Sequence, residues 1–541
     1  MDFDLSDFMK RFTAAVNALE KAATAALCKD LIAHLRLRPD VFPEKTAKQI
    51  LQALRRKRSF DLMQQVADAL ILSGQSCAMV RRQYAQSLLD LNNLSAALDV
   101  LKSLVRDTAS DPAEYNEARG LLGRAYKQLY VNAAAPQLPR NQQYLAEAVR
   151  LYHEVYQESS TNLWHGINAV ALLLRAVRDG VSLADYPEAE KTARQIARDI
   201  LADISDREVE GAVTTWDFAT AIEACVALND SSQAMDWLAR YIKADYTDAF
   251  ELASTLRQLT EVWQLDMTSE MGLFTLPMLR AALLEREGGS LELTLSDLKN
   301  DKHDEGEKIR LEKVFGQDSY VTLTWYQTGI DRCRAVAQIC TEMGEGFGTG
   351  FLVKGSELHA SLGDELLLLT NAHVVSNDPK VSGALQPEDA LVKFEALGLS
   401  GIRVKELIFT SPPLELDATL LRLDKAVTES MSPYPIAKLL PAMEEGKQQR
   451  VYIVGHPRGG GLSFSMNDNL LLAHKDPRIH YRTPTEGGSS GSPVFNQQWK
   501  LIGLHHAGGN LARLDGQPGT YEANEGLWIG AIKAALAQHL G

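Results

Sequence analysis

The sequence predicts a multidomain chain in which an all-α region of helical repeats precedes an all-β domain. Two observations predict it. From residue 1 to about 288, apolar residues recur at helical spacing with almost no alternating runs, as in Leu88, Leu91, Leu94, Leu98, Leu101 and Val105. From about residue 346 onward, short β-branched runs are separated by glycines and turn signals such as Asn377-Asp378-Pro379 and Ser411-Pro412-Pro413. Between them lies the charged stretch Asn300 to Lys308, which reads as an exposed linker. The expected domains are residues 1–288 (helical), 289–334 (linking and coupling) and 335–541 (β-rich).

The helical region contains degenerate repeats. Tyr84 and Ala85, followed by Ala97 and Leu101, show the alternation of small and bulky residues expected of a helix–turn–helix unit of about 34 residues. Leu122-Gly123 with Tyr126, then Ala148 with Tyr152, make a second copy with an insertion around Asn132 to Arg140. Trp164, Ile167 and Asn168 open a third, and Trp216, Ala219 and Thr220, with Ala234 and Leu238, a fourth. On these residues the stretch from about 55 to 265 resembles tetratricopeptide-repeat (TPR) proteins. An irregular helical bundle is the other architecture the spacing allows. A solenoid would offer its concave face to a protein partner.

Composition narrows the function classes. The chain has 541 residues, 45% hydrophobic and 23% charged, which excludes collagen-like and largely disordered chains. A net charge of −14 argues against a nucleic-acid footprint over the whole surface, and the run Arg55-Arg56-Lys57-Arg58 reads as a solvated helix face. The five cysteines form neither a disulfide framework nor a C-x-x-C pair. The opening MDFDLSDFMKRF lacks a signal-peptide pattern, and no run approaches the ~18 apolar residues of a membrane span. The expectation is a cytoplasmic protein with no membrane, nucleic-acid, metal or cofactor requirement.

The chemistry lies in three motifs of the β region. Leu369-Thr370-Asn371-Ala372-His373-Val374-Val375 is a buried strand ending in a histidine, preceded by the glycine-spaced strand Gly346 to Val353. Leu416-Asp417-Ala418-Thr419-Leu420-Leu421 places an Asp at the head of an apolar strand. Glu486-Gly487-Gly488-Ser489-Ser490-Gly491-Ser492-Pro493 surrounds a Ser with glycines, a tight turn able to expose a hydroxyl and aim backbone N–H groups inward. Each has a bland reading alone: a structural histidine, a turn-initiating Asp, a plain loop. In the chain order His, Asp, Ser they match the chymotrypsin-type order, in contrast to the subtilisin and α/β-hydrolase orders.

On these motifs the segment from about Ala335 to Leu540 resembles the trypsin-like serine peptidases, with wording closest to the bacterial glutamyl-endopeptidase-like branch. The resemblance implies two six-stranded β-barrels with the active site between them. It implies Ser490 as nucleophile, His373 as general base and acid, Asp417 as its orienting carboxylate, and the N–H groups of Gly488 and Ser490 as oxyanion hole. Asp424, after the apolar run, is the rival acid and reads as a surface residue. By the same resemblance Thr485 and His505 are the substrate-binding positions, a hydroxyl and an imidazole suited to an acidic side chain. Glu486 beside them would repel a carboxylate if it points inward, so small, apolar and basic preferences stay open. Tyr521 to Gly526 is expected to form the far wall of the pocket.

One departure bears on control. Trypsin has an Asp just before the nucleophile, which pairs with a freshly cut N-terminus; here that position is Ser489, and some 330 residues precede the barrel. The expectation is therefore a serine endopeptidase gated or targeted by its helical half, with Leu311 to Cys333 as coupling segment. A passive tether is the alternative for that half. A different class also stays open, a helical-repeat binding protein carrying a catalytically silent barrel. Bacterial proteins that pair such modules resemble parts of stress-response or phage-defence systems. Gly455-His456-Pro457-Arg458-Gly459 lacks the ending of a phosphate cradle, and His474 and His480 lack metal-ligand spacing.

Overall fold

The computed structural model describes the chain apart from residues 1–2, 19, 38–41, 245, 287–290, 293–323, 428–433, 444–448, 466–468 and 483–487. One compact unit holds Met1–Arg286, and another holds Asp318–Gly541 together with the short strand β1 (Leu291–Glu292).

The helical unit is a succession of antiparallel pairs. They are α1 (Leu5–Asn17) and α2 (Lys21–Leu37), α3 (Glu44–Arg56) and α4 (Phe60–Leu72), α5 (Ala78–Asp90) and α6 (Leu94–Asp107). Then follow α7 (Pro112–Val131) and α8 (Pro139–Glu158), α9 (Leu163–Arg178) and α10 (Ala189–Val209), α11 (Thr215–Leu228) and α12 (Ser231–Lys243), α13 (Ala249–Arg257) and α14 (Glu270–Glu285). Local chemistry sets the starts. Asp111 accepts from the N–H groups of Ala113 and Glu114 with Pro112 in the first turn, and capping boxes pair Thr214 with Asp217 and Asp248 with Glu251. Ala85, Ala97, Ala125 and Ala148 are fully buried at the helix contacts. The odd-numbered helices α3, α5, α7, α9, α11 and α13 together line one cavity of about 470 Å³. Alternate helices sharing one concave face is the geometry of a TPR-like solenoid, and it decides against an irregular bundle.

Small residues are required where pairs meet. A Cβ on Gly166 would lie 2.6 Å from the Tyr156 ring and 3.1 Å from Ile200. Replacing glycine by alanine inside a helix gains about 1 kcal/mol of propensity, whereas overpacking costs about 1–3 kcal/mol. Gly166→Ala is therefore expected to lower the midpoint of the helical unit's unfolding transition, read by circular dichroism in a urea titration. A raised midpoint would show that the Tyr156 ring yields freely.

The second unit contains two antiparallel systems. The first is a closed barrel in the order β2 (Val336–Cys340), β3 (Gly346–Lys354), β4 (Leu366–Thr370), β7 (Ala418–Leu423), β6 (Leu399–Ser411), β5 (Leu391–Phe394). The second is an eight-stranded sheet ordered β1, β9 (Ser463–Ser465), β8 (Val451–Gly455), β12 (Pro493–Asn496), β13 (Leu501–Ala512), β14 (Thr520–Trp528), β11 (Arg478–Tyr481), β10 (Leu471–Lys475). An Arg450–Leu470 bridge, with Val451 N–H donating to Asn469 O at 2.8 Å, brings β10 back to β8. Six strands thus curl into the second barrel, and β9 and β1 continue the sheet beyond β8. β3 joins the two systems: a Cβ on Gly346 would lie 2.3 Å from Gly459 O, so only glycine allows that approach.

A helix at residues 324–333 (α15) belongs to this unit. Trp325 Nε1–H donates to Gln497 O at 2.9 Å, Trp499 Nε1–H donates to Trp325 O at 2.8 Å, and their rings lie 5.1 Å apart. The described residues of the stretch expected as a linker are thus built into the β unit. Residues 311–323 of the expected coupling segment lie outside the described residues. A terminal helix, α16 (Ile529–Leu540), completes the chain. All five thiols are free, and no described helix is long and apolar enough to cross a membrane.

Candidate active site

The apolar strand β4 ends in a tight turn, with Val374 N–H donating to Asn371 O at 3.1 Å, and this turn presents His373. Asp417 stands directly before β7, only 1% exposed, with φ +40. A left-handed non-glycine residue costs about 1–3 kcal/mol, and such strain concentrates at functional sites. Here it is held by an interlock. Asp417 N–H donates to Pro412 O at 3.0 Å, and Asn371 Nδ2 donates to Asp417 O at 2.8 Å. The carboxylate takes His373 N–H on Oδ1 at 3.0 Å and His373 Nδ1–H on Oδ2 at 2.6 Å. Burial pushes the Asp417 carboxyl up, but the hydrogen bonds from His373 and His506 outweigh it and hold it below the usual carboxylate range.

Ser490 lies in a turn with left-handed glycines on both sides, Gly488 at φ +88 and Gly491 at φ +87. The buried Thr349 of β3 fastens it: Thr349 N–H donates to Ser490 O at 2.9 Å and Thr349 Oγ1–H to Gly488 O at 2.9 Å. Gly491 N–H donates to His505 O at 2.9 Å on the other side, so both barrels hold the turn. Among the described residues, the N–H groups of Gly488 and Ser490 have no acceptor, and Ser490 Oγ makes no hydrogen bond to His373 Nε2.

The other expected positions are less uniform. Thr485 and Glu486 lie outside the described residues. Asp424 takes the exposed Arg403 N–H at 3.0 Å, away from His373. His505 is 3% exposed and bonded through Nδ1 to the Tyr481 hydroxyl at 2.8 Å. Burial, with His506 and His373 nearby, pushes His505 down to about 3, so this imidazole is neutral rather than cationic. His474 bonds to Pro441 O at 3.0 Å, and the buried His456 to Gly460 O at 3.1 Å. No cluster of three or more potential metal ligands occurs among the described residues.

Sequence reasoning missed three groups. His506 Nδ1–H donates to Asp417 Oδ2 at 3.0 Å and its Nε2–H to Glu525 Oε1 at 2.7 Å, while His480 Nε2–H donates to Glu525 Oε2 at 2.7 Å.

Residues 348–504 match the family model described as a trypsin-like peptidase domain, and residues 57–173 match that described as Tetratricopeptide Repeats-Sensor. The β unit has a trypsin-like fold. Among curated proteins, the chain is 26% identical over 219 residues to the uncharacterized protein y4fB of Sinorhizobium fredii (36% of this chain, 31% of that protein). It is 28% identical over 222 residues to the secreted RxLR effector protein 73 of Plasmopara viticola (37% of this chain, 52% of that protein). The chain thus spans about a third to a half of the length of these relatives. Among solved structures, a serine endoprotease from Yersinia pestis is 18% identical with a TM-score of 0.27, covering 40% of this chain and 66% of its own. The HtrA-type protease AlgW with tripeptide is 19% identical with a TM-score of 0.27, covering 39% and 61% respectively.

Proposed function

We propose that the chain is a serine endopeptidase acting through Ser490, His373 and Asp417, with a helical unit that recruits a protein partner or gates the site. The observation that carries this reading is the His373–Asp417 pair at 2.6 Å, with Asp417 buried and His373 half-buried, in a trypsin-like domain that also holds a glycine-flanked serine. A serine hydroxyl is a weak nucleophile at its own pKa, so Ser490 must pass its proton to His373 Nε2 as it attacks the scissile carbonyl. Asp417 holds Nδ1–H, which keeps Nε2 free as the base and stabilises the imidazolium that forms. The imidazolium then protonates the leaving amine, and water regenerates the serine by the reverse sequence. The N–H groups of Gly488 and Ser490 would hold the oxyanion, and loss of one such donor costs about 10²–10³ in rate.

The concave cavity supports the role given to the helices, since six helices converge there with Arg82, Arg124, Lys127 and Arg257 at its wall. For specificity, we place Thr485 and His505 at the pocket of a glutamyl-endopeptidase-like enzyme. His505 would meet an acidic side chain as a neutral imidazole, which removes a charge-based reason for that preference and keeps small, apolar and basic residues in play. Cytoplasmic residence fits the free thiols, and a stress or phage-defence setting rests on the pairing of modules alone. The second reading, a silent barrel on a binding protein, is favoured by the missing bond between Ser490 Oγ and His373 Nε2, although such bonds often tighten only with substrate. Digestion of a peptide library by the full chain and by Ser490→Ala decides between them. Cleavage that vanishes in the variant is the expected result, and equal cleavage or none in both would overturn the endopeptidase reading.

A further inference from the structure

We propose that His506 is a positioning residue that shares the Asp417 carboxylate with His373 and ties it, through Glu525, to His480 in one continuous chain of hydrogen bonds. The inference rests on the triad reading above and extends it. The chain runs from His373 Nδ1 to Asp417 Oδ2 (2.6 Å), to His506 Nδ1 (3.0 Å), from His506 Nε2 to Glu525 Oε1 (2.7 Å), and from Glu525 Oε2 to His480 Nε2 (2.7 Å). His480 Nδ1 accepts from the Tyr521 hydroxyl at 2.9 Å and ends it. Asp417 is 1% exposed, His480 1% and Glu525 5%, so the two carboxylates and the far histidine are shielded from water, while His506 and His373 are half-buried.

The backbone is built for this contact. Between β13 and β14 the register slips: His505 pairs with Gly526 and Ala507 with Glu525, which leaves His506 as the extra residue of a β-bulge. A bulge re-aims a side chain that regular pleating would place elsewhere. Here it turns His506 between Asp417, which precedes β7, and Glu525 on β14.

The bonding fixes the charge. Ionised carboxylates only accept, so an imidazole bonded to one through each nitrogen needs a proton on both. The charged and titratable groups facing it are His373 from the β4 turn, Asp417 from the head of β7, Glu525 and Tyr521 from β14, and His480, Tyr481 and Arg478 from β11, with His505 adjacent on β13. Burial pushes His506 down, but the bonds and charges of Asp417 and Glu525 outweigh it and raise it to about 9. Burial pushes Glu525 up, but its bonds from His480 and His506 outweigh that and bring it to about 2. A raised histidine adds stability that is full below its ordinary value near 6.5 and is lost as pH rises through about 9. Above that pH a neutral His506 keeps one donor for two carboxylates, and Asp417 loses part of its anchorage.

The test uses the full chain and two readouts. The first is the rate of fluorophosphonate labelling against pH for the wild type, His506→Gln and Glu525→Gln. The wild type is expected to lose reactivity as pH rises through about 9, and each variant to label up to about 10²-fold more slowly at neutral pH without that alkaline limb. Variants that keep the wild-type rate and profile would overturn the proposal. The second readout is the imidazole ¹⁵N spectrum of Ser490→Ala, which needs no activity and no change at His506. A doubly protonated His506 at about pH 8 supports the chain, and a neutral one overturns it. If the wild type never labels, the endopeptidase reading fails, and the spectrum still decides the hydrogen-bonded chain.

Discussion

Asp417→Asn is expected to reduce acylation of Ser490 by about 10⁴-fold while the trypsin-like unit stays folded. The carboxylate accepts from three donors, His373 N–H, His373 Nδ1–H and His506 Nδ1–H. An asparagine has one oxygen, so its amide N–H₂ must oppose a donor. If it faces His373 Nδ1, that nitrogen can bond only as an acceptor, and the proton moves to Nε2. His373 then has no lone pair for the Ser490 proton. Strain at φ +40 persists, and a buried donor left unpaired costs about 1–3 kcal/mol, so a modest loss of stability accompanies the kinetic loss. Labelling rates measured beside circular dichroism check this. A variant within about tenfold of wild type would remove Asp417 from the triad.

Gly491→Ala is the substitution expected to cost the most structure. Its φ of +87 is left-handed, and a Cβ there would lie 1.9 Å from Thr349 O and 2.6 Å from Thr370 Oγ1. The left-handed conformation costs about 1–2 kcal/mol for alanine, and overpacking adds about 1–3 kcal/mol. The Thr349 carbonyl cannot swing away. It belongs to β3 and already accepts from Thr370 Oγ1–H at 2.7 Å. The turn must shift, which pulls Ser490 O from Thr349 N–H and displaces the Ser490 side chain. In a urea titration the transition of the trypsin-like unit should move to lower concentration while that of the helical unit stays. An unchanged midpoint with normal labelling would show that the turn tolerates a side chain.

These effects indicate what a sequence can and cannot display. The proposed triad positions were chosen because each sits at a strand end with its own local signature: apolar run then His373, Asp417 then apolar run, glycines around Ser490. The repeats were legible because Ala97, Ala148 and Gly123 must be small wherever paired helices meet. His506 and Glu525 were not assigned, although Glu525 lies in the stretch expected as the far pocket wall and His506 is next to the expected substrate-binding position His505. Their meeting depends on a one-residue register slip between two strands, which no local pattern encodes. Residues 324–333 were read as connection because Trp325 finds its partners, Gln497 and Trp499, more than a hundred residues later.

The central claim is that Ser490 is an activated nucleophile. It is tested most directly by treating the full chain with a fluorophosphonate and locating the adduct by peptide mass spectrometry. The account predicts one adduct on Ser490 that forms in the wild type and is absent in Ser490→Ala. An adduct on another residue, or none on the folded wild type, would contradict it.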